Sequence, residues 1–413
     1  NSLTSEALRE IASVYTRGNT QKSLPPLQSL SIEHNPIGTG GGALLRAMAT
    51  AVGTNLTSLH LAGCGLSDVG VAAMSTMFSS NHCNVAYVEL MDNNVADEGC
   101  IELARTVQSA CESGVSVRLR HLGLRHNRIS ATGASPLVDA CAGCGCQRLL
   151  LSGNAIGGSD ITPLRDSIHN LLVASRSSDN SLDCLDCLDL ASCQLTETDM
   201  SVLATAFENL PVAVPASTCA LEREGERDRE RETNRARSLR LSVSTTALSS
   251  PLSAKALKER FQSPPSPSPS DAGADAPPGL FSKLVLDNNP FGDNGGIHAA
   301  TIIRSCPTIT SVQLSRCYIG HGTLASVGAL LAVHPCLTHL DLSDNSITDA
   351  AGCRLIRRLA DSHLHSLYLD GNQLSDASGT LLGQVLRNHP SLSILSVRRN
   401  NIGYRTYFIH NTL

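Results

Sequence analysis

"LTHLDLSDNSIT", residues 337–348, sets Leu337, Leu340 and Leu342 ahead of Asn345 and Ile347. Nearly the same line returns as "LHSLYLDGNQLS" at 364–375 and as "LTSLHLAGCGLS" at 56–67. A line used this often is a building unit and not a single catalytic signature. The place of Asn345 is filled in turn by Asn35, Cys64, Asn93, Asn127, Asn154, Cys193, Asn289, Cys317, Asn345, Asn372 and Asn400. Successive spacings are 29, 29, 34, 27, 39, 96, 28, 28, 27 and 28, so the unit is about 28 residues with two interruptions.

Each unit reads LxxLxLxx[NC]x[LIVF], then Gly, Ser or Asp, then a helical pattern. In "NSITDAAGCRLIRRLADSH" the apolar residues Ile347, Ala351, Leu355, Ile356 and Leu359 recur at helical spacing. The xLxLx segment predicts a short strand with inward leucines. The Asn or Cys is expected to bind backbone groups in the turn that follows, and the helix to pack behind. One unit cannot bury its apolar face alone, whereas stacked neighbours share a continuous core.

This pattern resembles the ribonuclease-inhibitor-like subfamily of leucine-rich repeats, which also includes Ran GTPase-activating proteins and the repeat arrays of NOD-like receptors. The resemblance covers residues 24–210 and 280–413. It implies an α/β leucine-rich-repeat solenoid, a horseshoe with parallel concave strands and convex helices. The function it implies is non-catalytic: a scaffold or adaptor that grips a protein through its concave face.

Two alternatives follow from the same resemblance. One is a GTPase-activating regulator of a Ran-like GTPase, where an arginine in an early turn is associated with function. Here the first three turns, "EHNPIG", "AGCGLS" and "MDNNVA", hold no Arg, and Arg125 and Arg128 come only in the fourth, "RHNRIS". Residues 401–413, after the last Asn of the array, hold no Asp or Glu. The other is the ligand-sensing repeat region of a larger NOD-like signalling protein.

Composition narrows the choice. Trp is absent and only 3% of residues are aromatic, so the core must be aliphatic with cysteine. A net charge of -5 points to neither nucleic acid nor an anionic membrane, and no apolar run reaches membrane-spanning length. The 15 cysteines are odd in number and scattered, which suits reduced thiols and a cytoplasmic setting, with nuclear or cytoskeletal association as variants. Cys64, Cys193 and Cys317 sit where sister units carry Asn, as structural thiols would.

Four regions are expected. Residues 1–23 form a helical cap, with Thr4 capping the amphipathic stretch "TSEALREIASVYT". Residues 24–210 hold repeats 1–6 and residues 280–413 hold repeats 7–11. Between them 211–279 is an insert, containing the charged run "EREGERDRERE" and the Pro/Ser-rich "SPPSPSPSDAGADAPPG". "SLRLSVS" and "SAKALKERF" within it could make one degenerate repeat, and Ser263, Ser266 and Ser268 each precede proline as phosphorylation sites would. After Asn400 the array is expected to be truncated, with Tyr404, Tyr407, Phe408 and Ile409 as an alternative plug.

Chemical motifs fare worse. "GTGGGALL" (38–45) has the glycine density of a phosphate loop without its GxxxxGK[ST], and falls at a repeat turn. "CAGCGC" (Cys141, Cys144, Cys146) and "CLDC" (Cys184, Cys187) have thiolate-metal spacing, but their repeat register makes them packed thiols. Neither a metal nor a cofactor is expected, and no catalytic constellation is seen. The candidate partner-binding residues are those between and just after the inward leucines: Tyr87, Glu89, Asp92, His121, Arg125, Asp189, Asp287, His339, Asp341, Asp344, Tyr368 and Asp370. A protein partner with a basic surface suits the acidic arc from Asp287 to Asp370.

Overall fold

The computed structural model describes residues 3–16, 27–51, 55–177, 185–207 and 281–403. The insert, its candidate degenerate repeat and serines, Cys184 and the tyrosines near the end of the sequence lie outside the described residues.

Each repeat contributes one three-residue strand. These are β1 (Ser29–Ser31), β2 (Ser58–His60), β3 (Tyr87–Glu89), β4 (His121–Gly123), β5 (Arg148–Leu150), β6 (Cys187–Asp189), β7 (Lys283–Val285), β8 (Ser311–Gln313), β9 (His339–Asp341), β10 (Ser366–Tyr368) and β11 (Ile394–Ser396). They form one parallel sheet in chain order. Register is constant: Leu59 pairs with Val88, Val88 with Leu122, Leu340 with Leu367. Even across the longest gap in the repeat spacing, β6 pairs with β7 through Leu188 and Leu284.

The helices between them are α2 (Gly41–Thr50), α3 (Ser67–Ser75), α4 (Asp97–Glu112), α5 (Ala131–Cys144), α6 (Thr162–Ser177), α7 (Glu197–Thr205), α8 (Gly292–Ser305), α9 (His321–Leu331), α10 (Asp349–Leu359) and α11 (Asp376–Leu386). Local signals explain several ends. Thr196 and Asp199 make a reciprocal capping box at the start of α7, and Gly145, at φ 70, closes α5. Ahead of them α1 (Ser5–Thr16) buries Leu8 and Ala12, and the Thr4 hydroxyl accepts from the Ala7 amide at 3.5 Å. Strand leucines and helix faces together form one continuous core.

The recurring Asn fastens the stack. Asn93 Nδ2 donates to the Leu61 carbonyl of the preceding unit at 2.7 Å, while its Oδ1 accepts from the Cys64 and Leu66 amides at 3.1 Å each. Asn127 repeats this on Leu90, Asn93 and Val95, and Asn345 on Leu314, Cys317 and Ile319. Cysteine keeps the donor half of the bond: the Cys64, Cys193 and Cys317 thiols reach the Ile32, Leu151 and Leu286 carbonyls at 3.2, 3.3 and 3.2 Å.

The residue before each Asn or Cys has positive φ in all eleven units, from 51 at His126 to 76 at Gly153. Only three of those eleven are glycine, so the backbone accepts a conformation that costs about 1 kcal/mol. What compensates is an amide bonded to the next unit, as for Asp92 to Arg125 (3.1 Å) and Arg316 to Ser343 (3.0 Å).

A second ladder runs along the helix starts. Asp68 accepts from the Ala96 and Gly99 amides, Asp97 from Ser130, and Asp293 from Gly320, Gly322 and Thr323. Burial pushes the Asp293 carboxyl up, but the bonds from Thr323, Gly322 and Gly320 outweigh it and the net shift is down.

Two outcomes follow. Asn93→Ala strands two amides and a carbonyl in the core and lowers unfolding free energy by roughly 2–4 kcal/mol in urea titration; Cys64→Ala costs less, having only a thiol donor to lose. Asp293 has a depressed folded-state pKa, so its contribution is full above its unfolded value of about 3.9 and fades as pH falls through the folded one. The melting-temperature gap between the parent and Asp293→Asn is therefore widest near neutral pH and narrows in acid.

Candidate binding face

Because strand side chains alternate, the first and third residues of each strand stand on the sheet face away from the helices. Tyr87 lies in register with Ser58 and His121, and Glu89 with His60 and Gly123. The rings of this face stack: Tyr87 and His121 centroids are 4.1 Å apart and tilted by 9°, and His60 and Tyr87 are 4.8 Å apart. Carboxylates flank the column. Glu33 lies 4.0 Å from His60 Nδ1, and Glu89 Oε2 lies 3.6 Å from His121 Nε2. Burial raises the Tyr87 hydroxyl pKa, and the charge of Glu89 adds to the rise.

Glu89 and Asp189, two of the candidate partner-binding residues, are buried, at 9% and 6% exposure. The reason for Glu89 is its neighbour. A Cβ on Gly123 would sit 2.2 Å from Glu89 Oε1, so glycine leaves the cradle in which the carboxylate lies. Asp189 Oδ1 accepts from the Ala191 amide at 3.1 Å, and its Oδ2 meets Arg125 Nε at 3.4 Å across two units. Gly123 escaped the sequence reading because nothing in a single strand says which neighbour leans over it.

Farther along, several candidates are partly committed to the fold. Asp287 Oδ1 accepts from the Ser315 amide at 2.7 Å, Asp341 from Ser343 at 2.9 Å, and Asp370 from Arg398 at 2.6 Å. Burial raises the Asp287 pKa; the Ser315 bonds oppose this, and Asp341 and Asp189 add to it. Asp344 bridges Arg316 (3.2 Å) and Arg399 (3.0 Å). His339 is exposed and bonded to Thr338, Tyr368 is half-buried, and Asp92 is exposed on its left-handed turn. The residues therefore form two groups, one around Tyr87 on β2–β6 and one around Asp344 on β8–β11.

The thiols are inward. Burial pushes Cys193 and Cys317 up to about 12, and Cys141, Cys144 and Cys146 are buried at the end of α5. Among the described residues no cluster of three His, Cys, Asp or Glu is placed to hold a metal ion, and every described cysteine is free. No described helix is long and apolar enough to cross a membrane. Arg128, at the turn of the fourth unit, is exposed.

Comparison with known proteins gives these similarities. The "Leucine Rich repeat" family model matches residues 54–75, 81–104, 118–138 and 333–352. A ribonuclease inhibitor from Sus scrofa is 33% identical over 127 residues, 30% of this chain and 28% of that protein. A Tonsoku-like protein from Danio rerio is 29% identical over 156 residues, 29% of this chain and 11% of that one. The matches thus span less than a third of either relative. Among solved structures, an internalin from Listeria monocytogenes aligns over 99% of this chain and 92% of its own, with 13% identity and a TM-score of 0.42. The Rad7 and Elc1 complex of yeast contains a chain aligned over 97% of this one and 85% of its own, with 13% identity and a TM-score of 0.41.

Burial predicts the order of thiol chemistry. Maleimide labelling of the folded protein, read by mass spectrometry, should mark the half-exposed Cys111, Cys336 and Cys353 first. Cys64, Cys100, Cys193 and Cys317 should react only after denaturation.

Proposed function

For this leucine-rich-repeat chain of the ribonuclease-inhibitor-like type, we propose a non-catalytic, cytoplasmic scaffold that binds a protein partner along the open face of its sheet. The observation that carries this is the ordered, polar and aromatic surface on β2–β10, which the stack itself does not require. The leucines facing the helices supply the core, yet the opposite face holds a ring stack, paired charges and half-buried tyrosine. Tyr and Arg concentrate binding energy because they bring area and hydrogen bonds at modest entropic cost. Around β8–β10 the half-buried carboxylates of Asp341, Asp344 and Asp370 favour a partner with basic groups there. Among the described residues, no arrangement favours GTPase activation or ligand sensing within a larger signalling protein over this reading.

The test is affinity capture from native lysate on the parent chain beside His339→Ala, Asp344→Asn and Tyr368→Ala combined. Asparagine tolerates the left-handed backbone at 344, so circular dichroism should show the fold intact. Loss of a specific protein from the variant, with binding at least about tenfold weaker, is the expected result. Identical capture by both excludes this arc.

A further inference from the structure

Two buried polar atoms without a hydrogen-bond partner lie side by side on the open face: Glu89 Oε1 and His121 Nε2. A carboxylate oxygen left unpaired in a water-excluded place is costly, and a nearby imidazole nitrogen 3.6 Å from its sister oxygen does not complete it. Three elements build this spot. β3 supplies Tyr87 and Glu89, β4 supplies His121 and the space over Gly123, and β2 supplies His60 beneath the ring stack. The chain's own Arg125 and Arg148 are close enough to act on Tyr87 through their charge, but neither is bonded to Glu89 Oε1. Arg125 faces Asp189 at 3.4 Å, and Arg148, which pairs in register with His121, is exposed.

We propose that the Glu89–Gly123–His121 cradle is an anchor pocket for a single arginine side chain of the partner. This rests on the scaffold reading and adds to it a chemical identity at one point. The missing element is a donor that is charged, flat and able to serve acceptors side by side. A guanidinium has all three properties: it forks onto a carboxylate and packs flat against an aromatic ring, here the face of Tyr87 that His121 covers in the free protein. An ammonium supplies charge without the planar fork. Because Oε1 is covered, the His121 ring turns aside as the guanidinium enters. Gly123 sets the depth of the pocket, since any side chain there displaces the carboxylate.

The probe is N-acetyl-arginine amide, titrated while the Tyr87 and His121 ring signals are followed by NMR. Saturable shifts of those two rings are expected. N-acetyl-citrulline amide, of the same shape without charge, should leave them still, and the lysine analogue should bind more weakly. Glu89→Gln should weaken the response at least about tenfold. Gly123→Ala, which keeps the charge but moves it, should do the same, so a misfolded single variant cannot mimic the result. Absence of a saturable shift in the parent, or an equal response in Glu89→Gln, overturns the pocket. If the arginine probe fails while partner capture still depends on His339, Asp344 and Tyr368, the pocket falls and the scaffold reading stands. If capture is also indifferent to them, both fall.

Discussion

A buried side-chain amide must find partners for a carbonyl and two N–H groups, and in this chain it finds them in two units at once. Asn345 holds the Leu314 carbonyl and the Cys317 and Ile319 amides of the unit before it, and the Leu342 carbonyl of its own. The helical half of a repeat could vary, and does, since α3 has 9 residues and α4 has 16. The turn around the amide cannot vary without stranding backbone groups in a core that water does not reach. Constant register along the sheet follows, because each strand begins and ends against a turn of fixed shape.

That constraint also explains where the chain has freedom. The spacing from Cys193 to Asn289 is 96 residues, yet Asn289 Oδ1 accepts from the Cys193 and Leu195 amides at 2.9 and 3.0 Å, as in any adjacent pair. The closure cost of a loop rises slowly with its length, so a long stretch of sequence between two units is compatible with an unbroken ladder. The open face is free in another way. Its side chains stand outside the leucine core, although Asp189, Asp287, Asp341 and Asp370 are tied to nearby backbone amides.

The fold was legible because the LxxLxLxx[NC] line fixes strand, turn and helix together, and repetition multiplies a weak local signal. The cysteine substitutions were legible too: Cys64 falls in the Asn register, and its thiol bonds the Ile32 carbonyl that an amide would otherwise hold. The face was legible only as a set of positions. Alternation placed Tyr87, Glu89 and His121 on one side, but not that Tyr87 and His121 stack, nor that Gly123 lets Glu89 sink. Those depend on side-chain choice in neighbouring strands some 30 residues apart in sequence. Likewise Asp287, Asp341 and Asp370 read as free charges along one unit, whereas each caps a nearby backbone amide.

The most direct measurement is native-state hydrogen exchange on Asn345→Ala. If the amide ladder joins units, the Cys317 and Ile319 amides should lose protection by at least about tenfold while amides in β2–β4 keep theirs. Unchanged protection at Cys317 and Ile319 in a folded variant would contradict the account, and would place the coupling between units in the leucine core alone.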